Sequence, residues 1–264
     1  MDWHFLSLEM DLPSRLLGEH FRQTYVQPPE QITLPERTIV SRGKLIRIIE
    51  EAIPDYIKDS KAPTLCFSGH GEYHHYTYGL CKVLADRRSK RYGYVHIDHH
   101  HDMWDDSEKG GLRKELHCGR FVKSIRANTN ASHVLTVGTQ EVEKELEGNP
   151  AQYHHIPNHE LEKGLFCIDS ALQRLPDDVY VSIDLDFLSP KEISTGWPEG
   201  SFKKETLFCC LELIKERKRL VGVDVCGWDA GGQYRDDRMR YLSDARKAIS
   251  IHHTLAGLIL STSE

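Results

Sequence analysis

The stretch Val179-Tyr180-Val181-Ser182-Ile183-Asp184-Leu185-Asp186 is an apolar β run that ends in two carboxylates two positions apart. Asp is depleted in strands, and burying two like charges at a strand end needs a compensating partner, which a cation supplies. A second run, Tyr94-Val95-His96-Ile97-Asp98-His99-His100-His101-Asp102, closes in the same way. Side chains two apart on an extended chain project to one side, so Asp98, His100 and Asp102 are expected to converge, as are Asp184 and Asp186. Two such strand ends in one chain predict a fold that brings them together around metal.

Sixteen histidines in 264 residues set the competing interpretation, because a lone His-rich loop is more often solvated surface than ligand. The second, independent cluster weighs against it. Carboxylates with few imidazoles suit Mn²⁺ or Mg²⁺, whereas structural zinc usually recruits thiolates. None of Cys66, Cys81, Cys118, Cys167, Cys209, Cys210 and Cys226 forms a Cys-x-x-Cys pair, which speaks against a zinc ribbon. Four Asp and at least two His exceed what one tetrahedral ion needs. Two ions about 3.5–4 Å apart, bridged by carboxylates and a water, fit the inventory better, and two Mn²⁺ per chain are the favoured reading.

Short apolar runs alternate with helical stretches along the chain, the pattern of a mostly parallel sheet covered by helices on both faces. Strands are expected at Trp3–Leu6, Thr64–Phe67, Tyr94–Asp98, His133–Val137, Val179–Asp184 and Leu220–Val225. Helices are expected near Lys44–Ile53, Tyr76–Arg88, Cys118–Ala127, Glu205–Arg217 and Asp237–Leu255. No linker or repeat divides residues 1–264, so a single three-layer α-β-α catalytic domain is predicted. Ligands in such sheets bind outside the carboxyl ends of the strands, where both Asp clusters fall. After Thr64–Phe67 the chain reads Ser68-Gly69-His70-Gly71-Glu72-Tyr73-His74-His75, and one of His70, His74 and His75 is expected to supply a further imidazole.

Composition narrows the partners. There is no run of 18 apolar residues, and Met1-Asp2-Trp3-His4 opens without a basic segment or signal core, which points to a cytoplasmic protein with no membrane partner. An odd number of cysteines without framework spacing fits a reducing compartment. The net charge of −6 argues against nucleic acid and favours a cationic substrate. Homo-oligomerisation is left open.

Three segments together resemble the ureohydrolases, the arginase and agmatinase superfamily. That family carries Gly-Gly-Asp-His-Ser at one strand end, Asp-Ala-His-x-Asp at a second and Ser-x-Asp-x-Asp-x-x-Asp-Pro at a third. Here the second is Asp98-His99-His100-His101-Asp102 and the third Ser182-Ile183-Asp184-Leu185-Asp186-Phe187-Leu188-Ser189-Pro190. The first is degenerate: aligning Gly79 places the ligand at His74, with Tyr73 replacing the usual Asp and His70 as the fallback. The resemblance implies that His74, Asp98, Asp102 and Asp184 hold one Mn²⁺ and Asp98, His100, Asp184 and Asp186 the other. Two such ions acidify a shared water, and Asp102 is placed to orient the resulting nucleophile towards a guanidinium carbon. Arginases also use a histidine in a His-Gly context to shuttle protons, a role that falls on His117 in Leu116-His117-Cys118-Gly119. A Cys118–His nucleophile lacks an orienting third group.

Substrate recognition departs from the family. Arginases receive the guanidinium on a glutamate after the last core strand, and its ungapped match here is Gly227; Asp229 or Asp224 could take the role if the loop shifts. Trp197, Trp228 and Tyr234 are candidates for pocket walls or for core. His154 and His155 are expected on a strand-end loop. The segment that grips a free amino acid's α-amino and α-carboxylate groups has no counterpart, so the resemblance is closer to the peptide arginases, which convert arginine in ribosomal precursor peptides to ornithine and release urea. An arginase or agmatinase acting on a small free guanidine, and a deacetylase-type amidohydrolase of the same fold, are the alternatives.

Overall fold

The computed structural model describes residues 3–104, 115–140, 152–229 and 238–261, with the backbone alone over 238–242. Ten strands occur among these residues: β1 (His4–Glu9), β2 (Glu30–Thr33), β3 (Val40–Ser41), β4 (Thr64–Phe67), β5 (Tyr92–Ile97), β6 (Glu115–Leu116), β7 (Ala131–Thr139), β8 (Tyr153–Pro157), β9 (Asp178–Asp184) and β10 (Arg219–Cys226). The helices are α1 (Leu12–Thr24), α2 (Arg42–Ala52), α3 (Asp55–Lys58), α4 (Tyr76–Leu80), α5 (Asp86–Arg88), α6 (Val122–Asn128), α7 (Asn158–Leu161), α8 (Phe166–Leu172), α9 (Lys204–Arg217) and α10 (Arg238–Leu260). A π-helical turn, Cys81–Ala85, joins α4 to α5, so the helix expected over Tyr76–Arg88 is present with a local change of pitch.

Eight strands form one sheet in the order β2-β1-β4-β10-β9-β5-β7-β8, with every neighbouring pair parallel. β3 and β6 pair antiparallel on their own. An all-parallel sheet needs cover on both faces, and the strand sequences provide it. Every residue of β4, β5 and β9 is buried. Val95, Ile97, Val181, Ile183, Val223 and Val225 face one layer, packed with Leu17 and Phe21 of α1 and with α8, α9 and α10. Tyr94, Tyr180 and Cys66 face the other, packed with Leu45 and Ile49 of α2, the α4 helix and α6. The result is a three-layer α/β/α fold. A fully buried Val or Ile stabilises by about 1.5–3 kcal/mol, so a one-residue slip that exchanged these faces would forfeit many such contributions, and the register is well specified.

All six expected strands are present, while the two sheet edges, β2 and β8, carried little signal. β2 reads Glu-Gln-Ile-Thr with Ile32 alone buried, and β8 opens Tyr-His-His. His154 and His155 therefore lie within β8, at the sheet edge, and not on a loop after it. The unforeseen α1 has a capping box. Asp11 Oδ1 accepts the Ser14 N–H at 2.9 Å, and the Ser14 hydroxyl accepts the Asp11 N–H at 3.0 Å. The same carboxylate's Oδ2 accepts the His70 N–H at 2.8 Å, tying the loop after β4 to α1.

Candidate metal centre

β4, β10, β9 and β5 are consecutive in the sheet and parallel, so their carboxyl ends share one edge. Cys226 is in register with Asp184, and Ile97 with Ile183, which sets Asp98, Asp184 and Cys226 along one row. The convergence expected from strand alternation is reached by a different route. β5 ends at Ile97, and the chain then bends so that Asp102, with φ of 50°, occupies the left-handed region that Asp tolerates better than most residues. β9 ends at Asp184, whose Oδ1 accepts the Asp186 N–H at 3.0 Å as a 3₁₀ turn starts.

His74 sits at the middle of the first cluster. Its Nδ1 lies 3.2 Å from Asp98 Oδ2, 3.3 Å from Asp102 Oδ2 and 3.4 Å from Asp184 Oδ2. The other candidates lie elsewhere: the His70 ring accepts the Glu72 N–H, and burial holds His75 neutral, its pKa lowered to about 3. The second cluster is Asp98, His100 and Asp186. His100 Nδ1 is 2.8 Å from Asp186 Oδ2 and 3.7 Å from Asp98 Oδ1, and the His99 N–H donates to Asp186 Oδ1 at 3.1 Å. Asp98 belongs to both clusters, with one oxygen in each.

A buried polar chain behind the site orients His74. Its Nε2 meets Ser182 Oγ at 2.8 Å, and Ser182 and Thr77 both donate to Asp224 Oδ2, at 3.0 and 2.8 Å. With the proton on Nε2, the Nδ1 lone pair faces the carboxylates, the arrangement a ligand histidine requires. Asp224 thus stands behind His74, on the side away from the clusters. Asp229 is absent from the lining of the cavity over the site; its Oδ2 and His70 Nε2 both crowd Gly196, each 3.0 Å from where a Cβ would stand there.

One residue escaped the sequence reading. His96, fully buried on β5, directs Nε2 at the first cluster, 3.2 Å from Asp98 Oδ2 and 3.7 Å from Asp102 Oδ2. Its parity along the chain is that of Asp98, His100 and Asp102, a signal already present in the sequence.

The electrostatics call for a cation. Burial pushes the carboxyls of Asp102, Asp184 and Asp186 up, and repulsion from neighbouring carboxylates adds to it. For Asp98 burial acts in the same direction, but His96 and His74 outweigh it and hold the carboxyl well below the usual range. Among the described residues no Lys or Arg pairs with any of these four carboxylates. His74 Nδ1 and His96 Nε2 are buried and face these carboxylates. Oxygen-rich donors with imidazoles in two groups sharing Asp98, joined through His74 to a third of His74, Asp184 and Cys226, form a binuclear metal-binding site of the kind that holds two Mn²⁺.

A cavity of about 380 Å³ opens over this site, lined by Asp98, His100, Asp102, Asp184 and Asp186 together with Gly71, Trp104, His117, Cys118, Gly119, Gln140, Trp197 and Pro198. His117 therefore shares the cavity with the clusters. Burial pushes the Cys118 thiol up to about 12, leaving it protonated and a poor nucleophile at neutral pH. Trp228 is core, 1% exposed, whereas Trp197 and Trp104 are 37% and 56% exposed beside the opening. Tyr234 lies outside the described residues.

Comparison with known proteins agrees with this architecture. The model of the arginase family matches residues 19–229, and the chain belongs to that family. An uncharacterized protein of Thermotoga maritima is 30% identical over 180 residues, 68% of this chain; the chain spans 61% of that relative's length. Among solved structures, Bacillus caldovelox arginase superposes with a TM-score of 0.67 at 17% identity, covering 97% of this chain and 98% of its own. Helicobacter pylori arginase gives 0.67 at 15%, with 96% and 98% covered, and Streptomyces clavuligerus proclavaminate amidino hydrolase 0.64 at 15%, with 95% and 88%. At these identities the structures share the fold. No helix among the described residues is long and apolar enough to cross a membrane.

Proposed function

We propose that this chain hydrolyses a guanidinium group and releases urea, and that its substrate is an arginine side chain in a ribosomally made peptide, which becomes ornithine. The observation that carries the reading is the paired metal site on the floor of a cavity in which, among the described residues, every acidic lining residue belongs to that site. Held by His74, Asp98, His100, Asp102, Asp184 and Asp186, two divalent ions would supply an acidified water as nucleophile. Asp102, on the cavity floor, would accept a hydrogen bond from the attacking water and orient it towards the guanidinium carbon. His117, on the cavity wall, delivers the proton that the departing amine nitrogen needs. Trp197 and Trp104 offer indole faces to the planar cation on its way in.

Among the described residues the cavity lining has no carboxylate outside the clusters and no Lys or Arg to grip free amino-acid termini, which supports a peptide substrate. A small free guanidine is the second reading, favoured by the arginases among the structural relatives. Urea release measured side by side in Mn²⁺ tests both. An end-capped Arg peptide is expected to show a higher kcat/KM than L-arginine or agmatine. Preference for either small compound would overturn the peptide assignment, and no urea from any of them would overturn the hydrolase reading itself.

A further inference from the structure

We infer that His96 is a direct ligand of the buried ion, making the inner position of the centre a two-imidazole site built from His74, His96, Asp98 and Asp102. The ligand atoms of these four residues all lie within 4.8 Å of one another, and all four side chains are buried. The outer cluster, by contrast, holds one imidazole, His100.

The geometry of the ring separates ligation from mere support. His96 Nδ1 meets the Tyr94 hydroxyl at 3.3 Å, so a proton on Nδ1 can be given to that oxygen, leaving the Nε2 lone pair free. Nε2 faces carboxylate oxygens, 3.2 Å from Asp98 Oδ2 and 3.7 Å from Asp102 Oδ2, the same oxygens that His74 Nδ1 faces. The ring is also held in place: it stacks on His74, with centroids 5.1 Å apart and planes 19° apart, and meets the edge of Phe121. In the sheet, His96 is in register with Ser182, the residue that orients His74. Both imidazoles are therefore supported from one row, each with its free nitrogen aimed at the same carboxylates.

A second imidazole favours later transition ions at the inner position relative to the carboxylate-rich outer one. The assignment concerns metal ligation alone and stands whether the substrate is a peptide or a small guanidine.

X-ray absorption of the full chain loaded with two equivalents of Co²⁺ counts imidazole ligands through their outer-shell scattering. Three imidazoles per two ions are expected for the wild type, from His74, His96 and His100, and two for His96→Phe. His96→Gln serves as the second variant if the Phe ring disturbs folding, which circular dichroism reports. Mn²⁺ titration should show the inner affinity falling more than about 100-fold, beyond the 10–100-fold typical of a residue that supports a ligand from behind. Two imidazoles per two ions in the wild type would overturn the assignment without recourse to either variant.

Discussion

A Cβ on residue 227 would stand 2.1 Å from Asp184 Oδ1, so Gly227 and the Asp184 carboxylate occupy mutually exclusive space. The φ of 106° at Gly227 reinforces the point, since side-chain-bearing residues rarely adopt it. This position matches the glutamate that receives the guanidinium in arginases, and here it can carry no side chain. On the proposed reading, recognition of the guanidinium falls to residues other than 227.

Gly227→Ala is accordingly expected to displace Asp184 and weaken Mn²⁺ binding at least about 10-fold, with strain of roughly 1–3 kcal/mol at the left-handed backbone. Calorimetric titration and urea denaturation check the two effects separately. Unchanged metal affinity would show that the carboxylate can move aside at no cost.

Ser182 meets His74 from behind and donates to Asp224, so removing either should loosen the ligand without deleting it. Asp224→Asn is expected to bind Mn²⁺ about 10–100-fold more weakly while keeping the fold. Asp184→Asn, which replaces a charge inside the clusters, should lose more. Elemental analysis after dialysis ranks the two, and equal retention would remove Asp224 from the support of His74.

The site was largely legible because its chemistry follows strand ends: Asp98, His100, Asp102, Asp184 and Asp186 are grouped in the sequence as they are in space. His74 needed the family motif, since nothing local distinguishes it from His70 and His75; its distinction is the contact with Ser182, which lies 108 residues away. His96 escaped because a histidine inside an apolar run looks like part of the strand until its neighbours are known. The central strands were readable from their apolar runs. β2 and β8 were not, because edge strands bury few side chains, and α1 was hidden by a sequence whose helix depends on the Asp11–Ser14 cap and on Leu17 and Phe21 meeting the sheet.

Acid should destabilise the protein through histidines held neutral in its interior. His252, packed edge-on to Phe67 with ring centroids 5.1 Å apart, has its pKa lowered by burial to about 4, against 6.5 for an accessible histidine. Below 6.5 the unfolded chain takes up a proton that the folded chain refuses, so this contribution is complete above 6.5 and is lost as pH falls towards 4. Replacing the ring with Phe should flatten the stability profile over that window by up to about 1.4 kcal/mol per pH unit relative to the wild type. Because the carboxylate clusters are common to both proteins, they cancel in the comparison. Parallel profiles would contradict the buried, neutral assignment.

Proton delivery can be separated from metal binding at His117. His117→Ala is expected to retain both ions and to lose about 10²–10⁴-fold in turnover. Loss of metal would place the residue in the centre itself, and full activity would eliminate it as the proton donor.

The most direct test of the account is a mass measurement on an end-capped, Arg-containing peptide incubated with the Mn²⁺-loaded protein. The peptide should lose about 42 Da, one CH₂N₂ unit, with one urea released per ornithine formed, and Asp184→Asn should leave it unchanged. An unaltered peptide in the presence of protein shown to hold both ions, with no urea released from arginine or agmatine either, would contradict the central claim.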